Sequence, residues 1–308
     1  MKKILITGGF GFIGSSLVNH FQNKGFDIVI LDYKKSEPKK NLKNIQIIKA
    51  DISDENQINK IKVKNVDAVL HLAGQPSGPK SFSIPIIDIR LNLIGTTNII
   101  NFCENNYIKK IIFASSFVVY GNQDKEILKE NDHCIPRSVY ATSKLSAEYM
   151  LKNYAQKKNI NWNVLRMFNV YGPGQDITKP DQGLVGIFMN MLKKTNIVEV
   201  KGSLERFRDI VNIADVVQAW DLCLENNCNN EIFNLGTGSK TTFKQLILTL
   251  AKVMEKGKNL KILEKGKTIG DLKGCVASLE KIKNKLNYQP KISLEAGLKE
   301  MWKINKNL

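Results

Sequence analysis

Cysteine, histidine and long apolar runs are scarce in this chain. Its five cysteines are scattered without a C-x-x-C pair, and only three histidines accompany them, so we expect neither a zinc site nor a disulfide framework. No apolar run approaches the ~18 residues that span a membrane. The early apolar run Ile4–Ile6 is too short for the core of a signal peptide. We therefore expect a cytoplasmic protein with no membrane segment.

Arginine-rich runs and strips of alternating basic and aromatic residues are also missing, although the net charge is +17. The lysines are instead spread along the whole chain and become denser from Lys240 to Lys306. Such a distribution is typical of solvated protein surfaces, so nucleic acid is not the expected partner. The charge does favour the approach of an anionic small substrate through long-range attraction.

Short β-branched runs alternate with longer amphipathic stretches over the first half of the chain. The predicted strands are Ile4–Thr7, Asp27–Leu31, Ile45–Lys49, Ala68–Leu72, Lys110–Ala114 and Asn163–Phe168. The predicted helices among them are Ile13–Lys24, Ile86–Asn105 and Tyr140–Lys157. This rhythm predicts an α/β fold in which helices cover both faces of a doubly wound parallel sheet. After Gln175 the alternation stops, and helix candidates near 183–193, 213–224 and 242–255 predict a smaller C-terminal lobe.

The glycine-rich stretch "ITGGFGFIG", residues 6–14, follows the first predicted strand and opens the first predicted helix. In that context Gly8, Gly11 and Gly14 allow a tight turn, and pyrophosphate can approach the backbone and the free N–H groups of the helix N-terminus. Asp32 follows the second predicted strand, where a carboxylate accepts hydrogen bonds from both ribose hydroxyls. The stretch therefore predicts a Rossmann dinucleotide site that favours NAD over NADP.

"SVYATSK" places Tyr140 and Lys144 four residues apart in a predicted helix, so that both side chains lie on one helix face. A lysine ammonium in that position is expected to lower the pKa of the phenol, which would let the tyrosine act as a general base. Ser115 and Ser116 follow the Lys110–Ala114 strand, at the sheet edge where doubly wound folds bind ligands. Ser116, Tyr140 and Lys144 after a dinucleotide loop predict hydride-transfer chemistry.

With these motifs the chain resembles the extended short-chain dehydrogenase/reductases that act on nucleotide sugars, and among them the UDP-glucose 4-epimerase group. The resemblance runs over essentially the whole length. It is carried, in order, by "TGGFGFIG", "ADI", "HLAG", "LNLIGT", "SSFVVYG", "YATSK", "RMFNVYGPG", "RFRDIVNIADV" and "NLGTG". A series of motifs in the family's order is far more specific than any one of them.

The resemblance implies a role for each matching position. Ser116, Tyr140 and Lys144 would be catalytic. Cofactor contacts are implied for Gly8, Gly11, Phe12, Ile13, Gly14, Asp32, Tyr33, Asp51, Ile52, Leu72, Ala73, Asn92, Ser115 and Phe168. Substrate contacts are implied for Gln75, Asn169, Arg208, Lys267 and Asp271. His71 is expected to be a packed residue, and Asp209 and Asp215 are expected to fix loops near Arg208.

The same resemblance predicts how the chain is divided and assembled. An NAD-binding Rossmann domain is expected over residues 1–168, with a returning segment near 205–238. A mainly substrate-binding lobe is expected over residues 169–308. A homodimer is implied because the helices near Ile86–Asn105 and Tyr140–Lys157 form a four-helix interface in relatives, although their apolar faces could equally be covered within one chain.

The residues after Ser116 bear on which reaction the site performs. Dehydratases of the family resemble each other in having Thr-Asp-Glu where this chain has Ser116-Phe117-Val118, and decarboxylating relatives have glutamate in place of Val118. Phe117 and Val118 can neither protonate a leaving hydroxyl nor remove a proton, so dehydration and decarboxylation are disfavoured. We expect C4 epimerisation of a nucleotide-activated hexose of the UDP-glucose type, through a 4-keto sugar. A 4-dehydrogenase or 4-ketoreductase stays open, as does a non-catalytic NAD-binding or RNA-binding relative.

Two departures from the family pattern leave the sugar and the base open. Thr268 stands where relatives commonly have a phosphate-binding arginine, with Lys267 beside it, and Ser278 stands where they often have aspartate. A lysine still binds phosphate, but as a point charge without bidentate geometry.

Overall fold

A computed structural model describes residues 2–34, 44–179, 183–266 and 273–306. The strands are β1 Lys3–Thr7, β2 Asp27–Asp32, β3 Ile45–Lys49, β4 Ala68–His71, β5 Lys110–Ser116, β6 Ile127–Leu128, β7 Asn161–Met167, β8 Asn169–Tyr171, β9 Ile197–Val200, β10 Phe207–Arg208, β11 Ile210–Asn212, β12 Glu231–Leu235, β13 Thr241–Thr242, β14 Lys261–Glu264 and β15 Val276–Ala277. The helices are α1 Phe12–Asn23, α2 Glu55–Lys60, α3 Gly78–Ser83, α4 Pro85–Asp88, α5 Gly95–Asn105, α6 Val139–Met150, α7 Leu184–Thr195, α8 Ile213–Glu225, α9 Phe243–Val253, α10 Glu280–Leu286 and α11 Leu294–Asn305. Within the described ranges no helix is both long and apolar enough to cross a membrane.

The chain divides into two compact units. Unit 1 consists of Met1–Val119, Ser138–Arg166 and Trp220–Phe233, and unit 2 consists of Tyr120–Arg137, Met167–Ala219 and Asn234–Leu308. The chain therefore returns to unit 1 twice, whereas the predicted division had one returning segment, near 205–238. The second return begins at Trp220, within α8, the helix that follows the segment carrying Arg208.

Unit 1 is built on a seven-stranded sheet of order β12-β7-β5-β4-β1-β2-β3. In the pairs that surround β1 the strands run parallel, and Leu5 lies between Val29 of β2 and Val69 of β4. All three side chains are fully buried, as expected for strands that are covered on both faces. Each such aliphatic side chain contributes about 1.5–3 kcal/mol to folding through removal from water. This confirms the predicted doubly wound parallel sheet.

The winding of the sheet reverses at β1. The chain runs outward from β1 through β2 to β3, and then returns to place β4 on the other side of β1. In open α/β sheets, ligands bind outside the carboxyl ends of the strands at such a switch point. The residues directly after β1 and β4, beginning with Gly8 and Leu72, therefore lie where a ligand is expected.

Two predicted helices of unit 1 are interrupted by wider turns. The predicted helix Ile86–Asn105 consists of α4, a π-helical segment Ile89–Ile94 and α5. The predicted helix Tyr140–Lys157 consists of α6 followed by a second π-helical segment, Leu151–Ala155. Such insertions are frequently found at functional sites, and the first of these segments carries Asn92.

Unit 2 packs helices α7, α9 and α11 around its own apolar core. Phe188, Leu192, Leu246 and Met301 are almost completely buried in that core. The unit also contains short strand pairs: β8 with β11, β9 with β14, β6 with β15, and β10 with β13. In the β8–β11 pair, Asn169 lies opposite Ile210. Ile210 directly follows Arg208 and Asp209 in the sequence.

Candidate active site

The glycine loop joins β1 to α1 in a conformation that requires glycine. Gly8 has a φ of +69°, in the left-handed region, and a Cβ there would lie 2.9 Å from the backbone nitrogen of Ala73. A Cβ on Gly14 would overlap the carbonyl oxygen of Gly8. The loop closes through a 3.0 Å hydrogen bond from the Gly11 N–H to the same oxygen. The absence of side chains thus brings the start of α1 against the end of β1.

The N-terminus of α1 faces the loop without a side-chain cap among the described residues. Gly11 is its N-cap, and Phe12 and Ile13 are its first helical residues. The N–H groups of a first helical turn have no partner within the helix and bind anions well. A bare backbone cradle followed by an uncapped helix fits the pyrophosphate of a dinucleotide.

Asp32 ends β2 beside this loop. Its carboxylate accepts hydrogen bonds from the backbone N–H groups of Phe10 and Lys34, both at 3.1 Å, and only 6% of the residue is exposed. These two bonds fix its orientation and leave acceptor capacity, since a carboxylate offers about four lone-pair sites. Tyr33, the next residue, is 65% exposed. The geometry suits an acceptor for ribose hydroxyls.

Asp51 and Ile52 follow β3. One Asp51 carboxylate oxygen accepts from both the N–H and the hydroxyl of Ser53, each at 2.8 Å. Ile52 is buried, and its carbonyl accepts a 2.9 Å hydrogen bond from the Asn98 amide. Both residues are held in place by their neighbours at the carboxyl end of the sheet.

Leu72 and Ala73 leave β4 next to the glycine loop. Both backbone N–H groups donate to the Thr7 hydroxyl, at 3.1 and 3.0 Å. The same hydroxyl lies 2.7 Å from Nδ1 of His71, whose Nε2 lies 3.1 Å from the Thr96 hydroxyl. His71 is fully buried, and burial together with the Lys144 charge lowers its pKa to about 3. His71 is thus a packed, neutral residue, as the sequence indicated.

Helix α6 begins where Ser138 caps it. Ser138 is extended, and its hydroxyl accepts a 3.1 Å hydrogen bond from the Ala141 N–H, which satisfies one unpaired donor of the first turn. This start places Tyr140, Lys144 and Glu148 on successive turns of one face. The cap fixes where the helix begins. From that start, the side chains of Lys144 and Glu148 reach Ala114 and Ser115 near the end of β5.

The pKa of the Tyr140 phenol depends on its burial and on hydrogen bonding with the Ser116 side chain. The predicted lowering of the phenol pKa by Lys144 is wrong. Burial raises the pKa of Tyr140 to about 12, against a lowering by the Ser116 hydrogen bond, and the negative charge of Asp88 raises it further. Ionisation of this phenol therefore needs more positive charge than the side chains of the site supply.

Lys144 has its ammonium inside the protein. Its Nζ donates to the carbonyl of Ala114 at 2.9 Å and lies 4.7 Å from the centroid of the Phe113 ring. The residue is 5% exposed, and burial lowers the pKa of the ammonium to about 8, while the charges of Asp88 and Glu148 oppose that change. The lysine is thus charged at neutral pH but close to losing its proton.

A buried amide and carboxylate network surrounds Asn92. Its Oδ1 accepts from the Gln75 N–H at 2.9 Å, and its Nδ2 donates to the Ser143 hydroxyl at 2.9 Å and to Asp88 Oδ1 at 3.3 Å. The Gln75 side-chain amide donates to Asp88 Oδ2 at 2.9 Å. The structure therefore brings together Asn92 and Gln75, which the sequence indicated, with Asp88 and Ser143, which it did not. Asp88 lies one turn before Asn92, and that spacing is the signal that could have indicated it.

Ser115 faces a buried ion pair rather than open space. Its hydroxyl donates to a Glu148 carboxylate oxygen, and Arg166 Nη2 binds the other oxygen of that carboxylate at 2.7 Å. Glu148 and Arg166 are 3% and 4% exposed at their side chains. Sequence reasoning did not indicate this pair, although Glu148 follows Lys144 at the same four-residue spacing.

In unit 2, Asn169 and Phe168 lie on the edge of the β8–β11 pair. The Asn169 N–H and its side-chain amide both donate to the Asp209 carbonyl, at 3.1 and 3.2 Å. Phe168 is 3% exposed, and its N–H donates to the Leu235 carbonyl at 2.9 Å. These contacts fix the backbone at both positions.

Arg208 is a buried cation in the same unit. It is 7% exposed, its Nη1 donates to the Phe207 carbonyl at 2.7 Å, and its guanidinium carbon lies 5.3 Å from the centroid of the Phe243 ring. Burial lowers the pKa of Arg208 to about 10, and the charge of Arg206 lowers it further. An anion would stabilise both positive charges, so the cluster suits a phosphate group.

Asp209 and Asp215 organise loops of unit 2, as expected. Asp209 accepts from the Thr237 N–H and hydroxyl, both at 2.7 Å, and from the N–H groups of Gly238 and Ala277. Asp215 accepts from the N–H groups of Lys291 and Ile292. The remaining predicted substrate residues, Lys267 and Asp271, lie outside the described residues.

Comparison with known proteins identifies the family. Residues 4–236 match the sequence profile of the NAD dependent epimerase/dehydratase family. The chain belongs to that family. Its fold, its dependence on NAD and the resemblance read from the sequence motifs are thereby confirmed.

Individual relatives cover the chain from end to end. The structure of UDP-glucose 4-epimerase from Thermotoga maritima with UDP-glucose is 33% identical, with 99% of each chain covered and a TM-score of 0.91. UDP-glucose 4-epimerase from Thermus thermophilus in complex with NAD is 29% identical, with 98% of each chain covered and a TM-score of 0.86. The dTDP-4-dehydro-6-deoxyglucose reductase of Escherichia coli is 30% identical, over 97% of this chain and 96% of its own.

Proposed function

We propose that the protein catalyses NAD-dependent epimerisation at C4 of a nucleotide-activated hexose of the UDP-glucose type. The observation that carries the proposal is the placement of Tyr140 and Lys144 on one face of α6 against the end of β5, where Lys144 Nζ donates to the Ala114 carbonyl at 2.9 Å and Ser116 is the last residue of the strand. Tyr140 and Lys144 are one helical turn apart. Both residues and Ser116 belong to the unit that contains the glycine loop. The hydroxyls of Ser116 and Tyr140 can both contact one oxygen of a substrate.

Tyr140 is the proton acceptor in this reaction, and Ser116 holds the sugar 4-oxygen while the proton leaves. Bound NAD supplies the acceptor for the C4 hydride and a positive charge that favours the phenolate. Loss of the proton and the hydride converts the 4-hydroxyl to a ketone. Return of the hydride to the other face of the sugar, and of the proton from Tyr140 to the oxygen, gives the C4 epimer. Lys144 alone does not offset the effect of burial on the phenol pKa, but its ammonium together with the charge of bound NAD would favour the phenolate.

The residues after Ser116 support a reaction that ends with epimerisation. Phe117 is 8% exposed and Val118 is half-buried, and neither side chain can transfer a proton. Elimination of water would require an acid and a base beyond Tyr140. An epimerase requires only the groups that the site contains.

The substrate class is proposed from unit 2. The paired charges of Arg208 and Arg206 suit a diphosphate, and Asn169 offers an amide beside the same segment. The Thermotoga maritima relative with UDP-glucose makes a uridine nucleotide the first choice. An N-acetylhexosamine or a sugar on another base would use the same proton acceptor.

A 4-ketoreductase or 4-dehydrogenase is the second candidate, because the Escherichia coli reductase matches almost the whole chain at 30% identity. The two candidates differ in the fate of the cofactor. An epimerase returns the hydride to the sugar and leaves NAD unchanged, whereas a reductase or dehydrogenase converts NAD(H) with each turnover.

The experiment that separates them uses the purified protein with no added cofactor. It is incubated with UDP-glucose, UDP-N-acetylglucosamine and their GDP, CDP and dTDP counterparts, and C4 stereochemistry is followed by proton NMR. Formation of a C4 epimer without a net change in cofactor absorbance supports the epimerase. A 4-keto product, or no product until NAD is added, supports the second candidate.

We further propose a homodimer that acts in the cytoplasm. Large apolar side chains are exposed between Phe82 and Ile94 and at Tyr149 of α6, with Ile86 56% and Tyr149 55% exposed. The family resemblance implies a four-helix interface built from these helices, and a second copy would cover this surface. All five cysteines are free, which is typical of proteins in a reducing compartment.

A further inference from the structure

Asp88 is a buried carboxylate whose role lies outside the family motifs. It is 0% exposed and ends α4, directly before the π-helical segment Ile89–Ile94. Its oxygens accept hydrogen bonds from the amides of Gln75 and Asn92, at 2.9 and 3.3 Å. Both donors are neutral, so these bonds orient the carboxylate without cancelling its charge. A buried charge in this state is costly unless an opposite charge lies nearby.

The opposite charges that face Asp88 are Lys144 of α6 and Lys80 of α3. Burial raises the pKa of Asp88, and the Gln75 hydrogen bond and the charges of Lys144 and Lys80 lower it. Lys80 is exposed, whereas Lys144 is buried. The phenol of Tyr140 faces the same charge, which raises its pKa. Asp88 therefore interacts electrostatically with both Tyr140 and Lys144 of α6.

Glu148 is the other carboxylate near Lys144, but its charge is shared with an arginine. Arg166 binds both oxygens of Glu148 through Nε and Nη2. Because Arg166 neutralises much of the Glu148 charge, the attraction between Glu148 and the Lys144 ammonium is reduced. Asp88, whose side-chain donors among the described residues are the amides of Gln75 and Asn92, is left as the stronger counter-charge of the Lys144 ammonium.

Gly74 shows that the network around Asp88 borders the ammonium. A Cβ on Gly74 would lie 2.5 Å from Asn92 Oδ1 and 3.5 Å from Lys144 Nζ. Asn92 and Lys144 thus line the same small space. Asn92 also donates to Ser143, whose hydroxyl donates to the Tyr140 carbonyl at 2.9 Å. Hydrogen bonds therefore connect Asp88 with the first turn of α6.

We propose that Asp88 is a positioning residue of the catalytic centre, which holds Gln75 and Asn92 in place and keeps the Lys144 ammonium charged. The inference rests on the proposed function for the role of Lys144 in turnover. Its electrostatic part concerns residues of this chain alone. It is therefore testable without substrate.

The test is an NMR titration of protein labelled with carbon-13 at lysine Cε, comparing wild type with Asp88→Asn. The Lys144 resonance is assigned by its absence in Lys144→Met. We expect its titration midpoint to fall by roughly one pH unit in Asp88→Asn, because an opposite charge has been removed. Lys110, another lysine whose pKa is lowered by burial, has no interaction with Asp88 and serves as the internal control. An unchanged Lys144 midpoint overturns the proposal.

Turnover gives the second readout. The alkaline limb of the kcat profile should move to lower pH in Asp88→Asn in step with the Lys144 midpoint, whereas a merely structural role would reduce kcat equally at all pH values. If no substrate is turned over by the wild type, the proposed function fails while the NMR titration still decides the charge interaction. Should Asp88→Asn alone not fold, the Asp88→Asn/Lys144→Met double variant should fold, because it no longer buries an uncompensated ammonium. Failure of both to fold contradicts the charge role.

Discussion

The Ser116 side chain acts on the pKa of the Tyr140 phenol through hydrogen bonding, although Ser116 ends a central strand and Tyr140 lies in the first turn of a helix. The two are brought together by a cap at Ser138 and by the extension of β5 through Ser116. The bond lowers the pKa of the phenol, but burial outweighs it and leaves that pKa at about 12. Ionisation of this phenol therefore requires positive charge in addition to that of the surrounding side chains.

Tyr140→Phe tests the proposed proton-acceptor role directly. Loss of the phenol oxygen should reduce turnover by about 10²–10⁴-fold, the usual contribution of a general acid or base. The fold and NAD binding should be unchanged, as judged by circular dichroism and calorimetry. Tyr149→Phe, in the same helix but 55% exposed, is the control and should retain wild-type turnover. Full activity in Tyr140→Phe would remove this residue from the reaction.

His71 should make stability depend on pH below neutrality. Its pKa is lowered to about 3 in the folded protein, against about 6.5 in the unfolded chain. Its contribution is therefore complete above pH 6.5 and is lost as the pH falls towards 3, by about 2 kcal/mol at pH 5. Urea unfolding at pH 7 and pH 5 measures the difference. The difference should shrink by that amount in His71→Asn and persist in His133→Asn, which alters an exposed histidine.

Gly14→Ala should impair NAD binding. The added Cβ would overlap the Gly8 carbonyl, a backbone atom that can move only if the loop moves. We expect a loss of at least tenfold in affinity, or about 1.4 kcal/mol, measured by calorimetry. Gly257→Ala is the matched control, because a Cβ there meets no atom within 4 Å. Equal affinity in the two variants would show that the loop is not the cofactor cradle.

Arg208→Lys should weaken substrate binding more than it slows turnover. Lysine keeps the charge but not the planar fork that binds phosphate through two hydrogen bonds. We expect KM for the nucleotide sugar to rise about tenfold or more, which corresponds to the loss of a charge-assisted hydrogen bond, with kcat changed much less. Arg137→Lys, at an exposed position, should leave both constants unaltered. A fall in kcat alone would place Arg208 outside the binding site.

Ile86→Asp should produce monomers. The substitution puts a charge into the exposed apolar surface of α4, where burial against a second copy would become unfavourable. Light scattering after size-exclusion chromatography gives the mass. Ile304→Asp changes an isoleucine that is similarly exposed, at 50%, on α11, and it should remain dimeric. A wild-type protein that is monomeric at all concentrations contradicts the proposed assembly.

The sequence was most informative where one motif fixes local geometry. The glycine loop, the strand before it and the helix after it lie within one or two residues of their predicted limits. Tyr140 and Lys144 could be placed on one face because helical spacing alone decides it. The central strands could be predicted equally well from the sequence, because they are short β-branched runs that are bounded by polar turns.

Contacts that depend on tertiary structure could not be read in the same way. Asp88 and Glu148 lie one helical turn from Asn92 and Lys144, but that spacing does not reveal that Asp88 also faces the Gln75 amide or that Glu148 faces an arginine from β7. The π-helical segments were predicted as ordinary helix, because their backbone hydrogen bonds span only one residue more than those of an α-helix. The direction of the Tyr140 pKa shift was predicted wrongly, because burial raises this pKa and the burial of the phenol depends on the fold rather than on the spacing from Lys144.

The Glu148–Arg166 pair also sets the axial position of α6. A helix advances 1.5 Å for each residue, so a slide of one residue would pull Glu148 away from an arginine that binds both of its oxygens. The same slide would carry Tyr140 and Lys144 along, because all three share one face. A buried salt bridge four residues further along the helix thereby keeps Tyr140 and Lys144 in register with the end of β5.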